Sequence, residues 1–467
     1  MLWELMKKEM HDQILSLRLQ LALLLVLVLM AAGALMFQAE YKRQLADYSR
    51  DVSRNLESLA KNASSRFSLF SVFSYNDQFI YRRPNPLGFI AEGHDKDLPN
   101  SFRVNAFRLG APEFTLRGNP LLWRFDNLDW AFIIGVILSF TAIVLVYDSI
   151  NGEKQRGTLR LMMSHSISRT RILTAKFLSA VIMLIIPLAA GALLSILILG
   201  AGGAVPLDAR VISRMAICLA LGGIYISIFV LVGLLLSARS RTPVVSLVTG
   251  LFVWVALVIV LPAAANLLAM GLAKVPAQEQ VLEDAGRAWD EAAKRYNDQH
   301  PHPMNWVMSG RWSPGEPLRR ALEADQAWGS VFQAFQDSKS TQVLLGREMA
   351  AFSPSALFAE SMESTVESGV LHYNNFLKAA RRYQQELAVY LENKYPLDKV
   401  HPVDRNVADP IIAGIKLDFG SIPKFADRSA RLSEVAPAVI RNAAILALIN
   451  VVLFAAAFVS FLRYDVR

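Results

Sequence analysis

The residues able to do chemistry are few and scattered along the chain. His300-Pro-His302-Pro-Met304 sets two imidazoles and a thioether close together, a donor set that could suit copper. No evident further ligand accompanies them, so the favoured reading is a proline-stiffened surface turn, with a metal site as the alternative. Gly152-Glu-Lys-Gln-Arg-Gly157-Thr158 is the nearest approach to a phosphate-binding loop. That loop needs its lysine directly after the second glycine, and here Lys154 lies between the two. Tyr147-Asp148, at the end of an apolar stretch, could be half of an aspartyl pair, but no second aspartate stands in a G-x-G-D setting. HExxH, CxxC and G-x-S-x-G patterns are all absent. The sequence therefore carries no catalytic residue and no cofactor-binding motif, and it reads as a protein that is not an enzyme.

The elements that hold these residues are mostly built for lipid. Hydrophobic residues make up 53% of the 467 and charged residues 19%, a shift that fits a chain divided between bilayer and water. A hydrocarbon core of about 30 Å takes about 20 apolar residues per helix. Six stretches meet that length: 19–37, 130–147, 173–200, 211–237, 244–272 and 443–462. Pro187 and Pro262 are expected to kink their helices, and Asn266 and Asn450 to bond between helices. Ala32-Gly33-Ala34 has the small residues of a cleavage site. The segment before it is long and carries acids as well as bases, so an uncleaved anchor is the expectation. Cys218 is the only cysteine and lies inside an apolar stretch, so the chain forms no internal disulfide.

Charge sets the orientation. The net charge of +8 gathers largely in short segments flanking apolar stretches, which argues for topology and against nucleic-acid binding. The link 148–172 carries Lys154, Arg156, Arg160, Arg169 and Arg171 against Asp148 and Glu153, and 238–243 adds Arg239 and Arg241. Both termini, 1–18 and 463–467, are then cytoplasmic, and 38–129 and 273–442 lie outside. The first outer domain is expected to be small and mixed α/β, with a helix over 40–61 and short strands and turns between Arg66 and Leu116. The second is expected to be mainly helical over 278–298, 316–338 and 355–394, with 400–437 as an extended return to the membrane. Arg82-Arg83 and Arg381-Arg382 are read as solvated faces. The fold class is an α-helical polytopic membrane protein with six transmembrane helices and these two outer domains.

The most distinctive segment is Asp148–Lys176. It reads as a short surface helix between two spans, in which Gly152 and Gly157 permit sharp turns and close approach. Leu159, Leu161, Met162 and Met163 give it an apolar face, and Ser168 caps the next helix. A helix held by two spans can pass force from a soluble partner into the membrane.

In this segment the G-E-K-x-x-G-T core, the following I-S-R and a lysine entering the next helix resemble the coupling region of ABC transporter permeases of the type-2 export class. Leu2–Met10 resembles that class's N-terminal interfacial helix. Arg82-Arg-Pro-Asn-Pro-Leu87, Asn119-Pro-Leu-Leu122 and Ser353-Pro-Ser-Ala-Leu357 resemble the subgroup with two large outer loops, related to gliding-motility permeases. The resemblance covers essentially the whole chain. It implies the membrane half of an ATP-driven exporter or extractor of an amphiphile, in the bacterial inner membrane. A separate dimer of ABC ATPase subunits would bind ATP and Mg, and a second permease copy or a sister permease would complete the pathway. The residues it marks for coupling are Gly152, Glu153, Arg156, Gly157, Thr158, Leu159, Met162 and Arg169. The large outer domains leave room for a periplasmic partner. The alternative is a membrane-anchored receptor or scaffold whose outer domains bind without transport.

Overall fold

The computed structural model describes residues 2–64, 77–93, 95–106, 109–113, 128–158, 168–203, 205–299, 311–312, 315–394, 403–404, 417–427 and 432–463. His300, His302 and Met304 lie outside the described residues, as do Leu159 and Met162. In chain order, α1 (Leu2–Ile14) precedes α2 (Leu17–Ala63), and three strands follow: β1 (Gln78–Tyr81), β2 (Ser101–Val104) and β3 (Leu109–Glu113). Next come α3 (Trp130–Gln155), α4 (Arg169–Gly202), α5 (Ala209–Arg239) and α6 (Pro243–Leu272). The chain continues with α7 (Gln278–Gln299), β4 (Arg311–Trp312), α8 (Gly315–Ala350), α9 (Pro354–Val366), α10 (Gly369–Lys394) and β5 (Val403–Asp404). The last span is α11 (Leu432–Leu462).

Six of these helices, α2 to α6 and α11, are long and apolar enough to cross a membrane. Each contains one of the stretches read from the sequence. The helix expected over 40–61 is the uninterrupted continuation of the first span, and α2 runs 47 residues. Ser16 caps it, its side chain accepting from the Leu19 amide. The last span begins earlier than its apolar run, so the residues from Leu432 to Pro437 are helical where an extended return was expected.

Two spans are interrupted by π-helical turns, at Ile133–Leu138 and Ala256–Val260. Such turns free backbone carbonyls, which lipid cannot satisfy. At the first, the Gly135 carbonyl accepts from Ser139 Oγ at 2.6 Å and from the Tyr225 hydroxyl at 2.9 Å. At the second, Ser353 and Ser355 donate to the Leu257 carbonyl at 2.7 and 3.1 Å, and Ser355 also reaches the Val258 carbonyl. Val258 is the residue that Pro262, lacking an amide hydrogen, cannot serve. α4, by contrast, passes through Pro187 without interruption. Asn450 makes the expected interhelical bonds, to Ser227 and to the Ile224 carbonyl, while Asn266 is exposed.

The stretch expected as one helix over 355–394 is two. Ser353 and Pro354 start α9 as expected, but Glu367 turns left-handed at φ 59° and ends it. The Ser368 amide then reaches back to the Glu363 carbonyl, closing the helix end. The two halves go to different places. At about 1.5 Å per residue the 13 residues of α9 cover roughly 20 Å, too short to cross the bilayer. Yet Leu357, Phe358, Met362 and Val366 belong to the same buried cluster as the spans. Phe358 stacks on Tyr225 with centroids 4.3 Å apart, beside Gly135. α10 instead joins the outer core, where Phe376, Ala380 and Leu387 pack with Leu59, Ile80, Phe102 and Val104.

Residues from 38–129 and 273–442 thus share one core. β1, β2 and β3 form an antiparallel sheet in that order, with Phe79 opposite Arg103 and an irregularity between Phe102 and Val104. Polar ties reinforce the seam: Tyr383 donates to Gln78 at 2.7 Å and Gln384 to the Ala106 carbonyl at 2.9 Å. Arg82, expected on a solvated face, is buried instead, with Asp95 at 2.9 Å and His372 on the other oxygen of that carboxylate at 3.0 Å. Burial works against the Asp95 charge, but Arg82 and His372 hold its carboxyl below the usual range. α7 and α8 form a helical hairpin with its own small cluster of Val281, Ala285, Phe332 and Phe335.

Candidate functional site

The link 148–172, which takes in the last turns of α3 and leads into α4, is fastened to the bundle at both ends. At its start, Ser237 of α5 accepts from the amides of Ile150 and Asn151 at 3.0 and 3.4 Å. Arg18 of α2 donates to Asp148 at 3.2 Å and to the Tyr147 hydroxyl at 2.9 Å, with its guanidinium 4.8 Å from the Tyr147 ring centre. Tyr147-Asp148 is therefore a docking point for the first span. Gly152 packs close to Asp148, since a Cβ there would stand 3.3 Å from the Asp148 Cβ.

The centre of the site is Lys176. Its ammonium is almost fully buried and lies 2.8 Å from both Glu9 of α1 and Glu153 of the link. A buried cation between two carboxylates joins three elements that are far apart in sequence. Ser179, nearly one turn beyond Lys176, donates to the Met6 carbonyl at 3.4 Å, so α1 lies along the inner end of α4. Removing one member of such a group leaves an uncompensated buried charge, at a cost of about 3–5 kcal/mol.

Beyond Glu153 the chain turns outward. Asn151, Gly152 and Glu153 are buried, whereas Gln155, Arg156, Gly157 and Thr158 are exposed. Thr158 donates to the Glu153 carbonyl at 3.2 Å and Arg156 to the Gly152 carbonyl at 3.2 Å. Gly157 has φ 77°, a left-handed conformation that glycine adopts without strain. At the far end Ser168 caps α4 as expected, accepting from the Arg171 amide. Arg169 donates to the Phe461 and Leu462 carbonyls at 2.7 and 2.6 Å. A cation at a helix C-terminus suits both the free carbonyls and the helix dipole.

Of the residues singled out from the sequence, Gly152, Glu153, Arg156, Gly157 and Thr158 are brought together, and Arg169 ties the link's other end to α11. Glu9, Arg18 and Ser237 were not singled out. Glu9 carried a signal, as an acid beside Met6 and Met10 on an otherwise amphipathic helix. Among the described residues no cluster of three or more histidine, cysteine or acidic side chains is arranged to hold a metal. The arrangement fixes a short exposed turn to four of the long apolar helices, α2, α4, α5 and α11, and to α1.

A family model described as "ABC-2 family transporter protein" matches residues 3–466, whereas no curated protein matches the sequence. The chain belongs to the ABC-2 transporter family, as a membrane subunit without catalytic activity of its own, and this family works with an ATPase partner.

Proposed function

We propose that this ABC-2 permease exports or extracts an amphiphile, driven by a separate ATPase that docks on the exposed turn Arg156-Gly157-Thr158. Leu159 and Met162 continue that docking face in this reading, and Gly152 and Glu153 root it in the bundle. The observation that carries the proposal is the division of the link into a buried, ion-paired root and an exposed tip. A tip that moved freely on its root would absorb a partner's motion, whereas one fastened through Lys176, Ser237 and Arg169 passes it to α4, α5 and α11. ATP and Mg belong to the partner, and a second permease, identical or a sister chain, completes the pathway. The basic short loops support a cytoplasmic position for the link and both termini, in the inner membrane of a bacterium.

The test is co-purification with the cognate ATPase from native membranes, followed by turnover measurements on the reconstituted complex. Arg156→Glu and Thr158→Trp are expected to lower permease-stimulated ATP hydrolysis at least tenfold while the permease stays folded. Unchanged stimulation and assembly in both variants would remove the docking role.

A further inference from the structure

A cavity of about 560 Å³ lies on the outer side, between α2 and the segment that follows β1. Its α2 wall runs from Gly33 to Asp51, roughly 27 Å at about 1.5 Å per residue. The character of that wall changes with height. The lower end, at the outer edge of the first span, is formed by Met36, Phe37 and Phe89. Phe37 packs between Tyr41 and Phe89, and Phe89 meets Trp130 edge-on, so this floor is a fixed aromatic surface. Met36 is 43% exposed and its neighbour Leu35 57%, which leaves the floor continuous with the lipid-facing side of α2. The upper end is polar, with Tyr48, Asp51 and Arg83.

The wall beside the floor carries a buried acidic pair, Asp129 and Glu92. Asp129 caps α3 through the Phe132 amide at 2.8 Å and accepts from the Glu92 amide at 2.8 Å. The charge of Lys96 also favours its ionised form. Glu92 has Lys96 at 3.1 Å, yet burial outweighs that partner. Burial raises the Glu92 carboxyl to about 7 and the Asp129 carboxyl to about 6. Two carboxyls whose charge burial disfavours, with one lysine acting on both, are relieved by a further cation placed beside them.

We propose that this cavity binds an amphiphile with an ammonium head, its tail on the Met36–Phe37–Phe89 floor and its head against Asp129 and Glu92. As cargo, this ligand rests on the transport reading above; as an occupant of the cavity, it does not. The chemistry is shared by an aminolipid of the outer leaflet and a dissolved cationic amphiphile.

The experiment uses the full chain in phosphatidylcholine nanodiscs, titrated with dodecylamine and with dodecanoate, each carrying a fluorophore at the tail end. The amine probe is expected to bind saturably at one site per chain, at least tenfold more tightly than the carboxylate probe. Asp129→Asn, which keeps the helix cap, should weaken the amine about tenfold and leave the carboxylate probe unchanged. Met36→Trp, which fills the floor from the lipid side, should weaken both. Arg382→Ala, on the outer surface, should change neither. Adding phosphatidylethanolamine to the disc displaces the probe if a leaflet aminolipid is the ligand, and leaves it bound if the ligand arrives from water; either result fits the site. Equal binding of the two probes, or amine binding that survives both Asp129→Asn and Met36→Trp, would overturn the proposal. Those results would leave the ATPase-docking test untouched, just as failure of that test would leave binding at the cavity standing.

Discussion

Buried carboxylates occur at both ends of the membrane block, in opposite settings. On the link side, Glu9 and Glu153 close on Lys176 at 2.8 Å each, and the three side chains fill the space between α1, the link and α4. At the opposite end, Asp129 is held by backbone amides, and it and Glu92 line a cavity of about 560 Å³. The first group has its cation built into the chain and serves as a joint. The second has Lys96 acting on both carboxyls and borders a cavity with room for a further cation. The contrast shows that burial of charge alone does not separate structure from binding. What separates them is whether space remains beside the group.

The strongest way to break this comparison is Lys176→Met. It leaves two carboxylates buried together and is expected to cost about 3–5 kcal/mol, read as a lower midpoint in thermal unfolding of the detergent-solubilised protein. Adding Glu9→Gln and Glu153→Gln to that variant should recover most of the loss, and a neutral single variant would show that the joint is not one.

The outer pair should respond to pH instead. Its folded carboxyls titrate near 7 and 6, above the unfolded values of roughly 4. Between those limits the folded state holds more protons than the unfolded one, so stability falls as pH rises from about 4 to 7 and levels off above. The loss is about 3–4 kcal/mol for Glu92 and about 3 kcal/mol for Asp129, and a Glu92→Gln/Asp129→Asn variant should flatten the profile. A wild-type profile already flat over that range would place the pair in water rather than beside a cavity wall.

Smaller effects sharpen the boundary between the two regions. Ser355→Ala removes a hydroxyl from the carbonyls freed by Pro262 and should cost about 1–2 kcal/mol. Arg18→Ala loosens a partly exposed contact to Asp148 and Tyr147, and should cost under about 1 kcal/mol in unfolding midpoint.

The spans were legible because lipid demands long apolar runs, and each of the six lies within a helix. So was the local chemistry of caps: Ser168 and Ser353 each do what their positions suggest. α9 was hidden because its Leu357, Met362 and Val366 spacing suits a water-facing helix as well as one packed among spans. Only Tyr225 and the freed carbonyls of α6, far away in sequence, reveal where it sits. The break at Glu367 was equally silent, since a glutamate is an unusual residue for a left-handed turn. The G-E-K-x-x-G-T core located the link, but the pairing of Glu9 with Lys176 spans 167 positions, and nothing local encodes it.

The continuity of α2 has a mechanical consequence. Its N-terminal end is tied to the link through Arg18, and its C-terminal part is a wall of the cavity and then joins the core of Leu59 and Ala63. The arm beyond Phe37 is roughly 39 Å long at about 1.5 Å per residue. Pivoting near the membrane surface, such a lever would convert a tilt of about 5° into a sweep of roughly 3 Å at its tip, with no hinge along its length to absorb the stroke. A nudge at one face of the bilayer would thus be felt at the other within a single element.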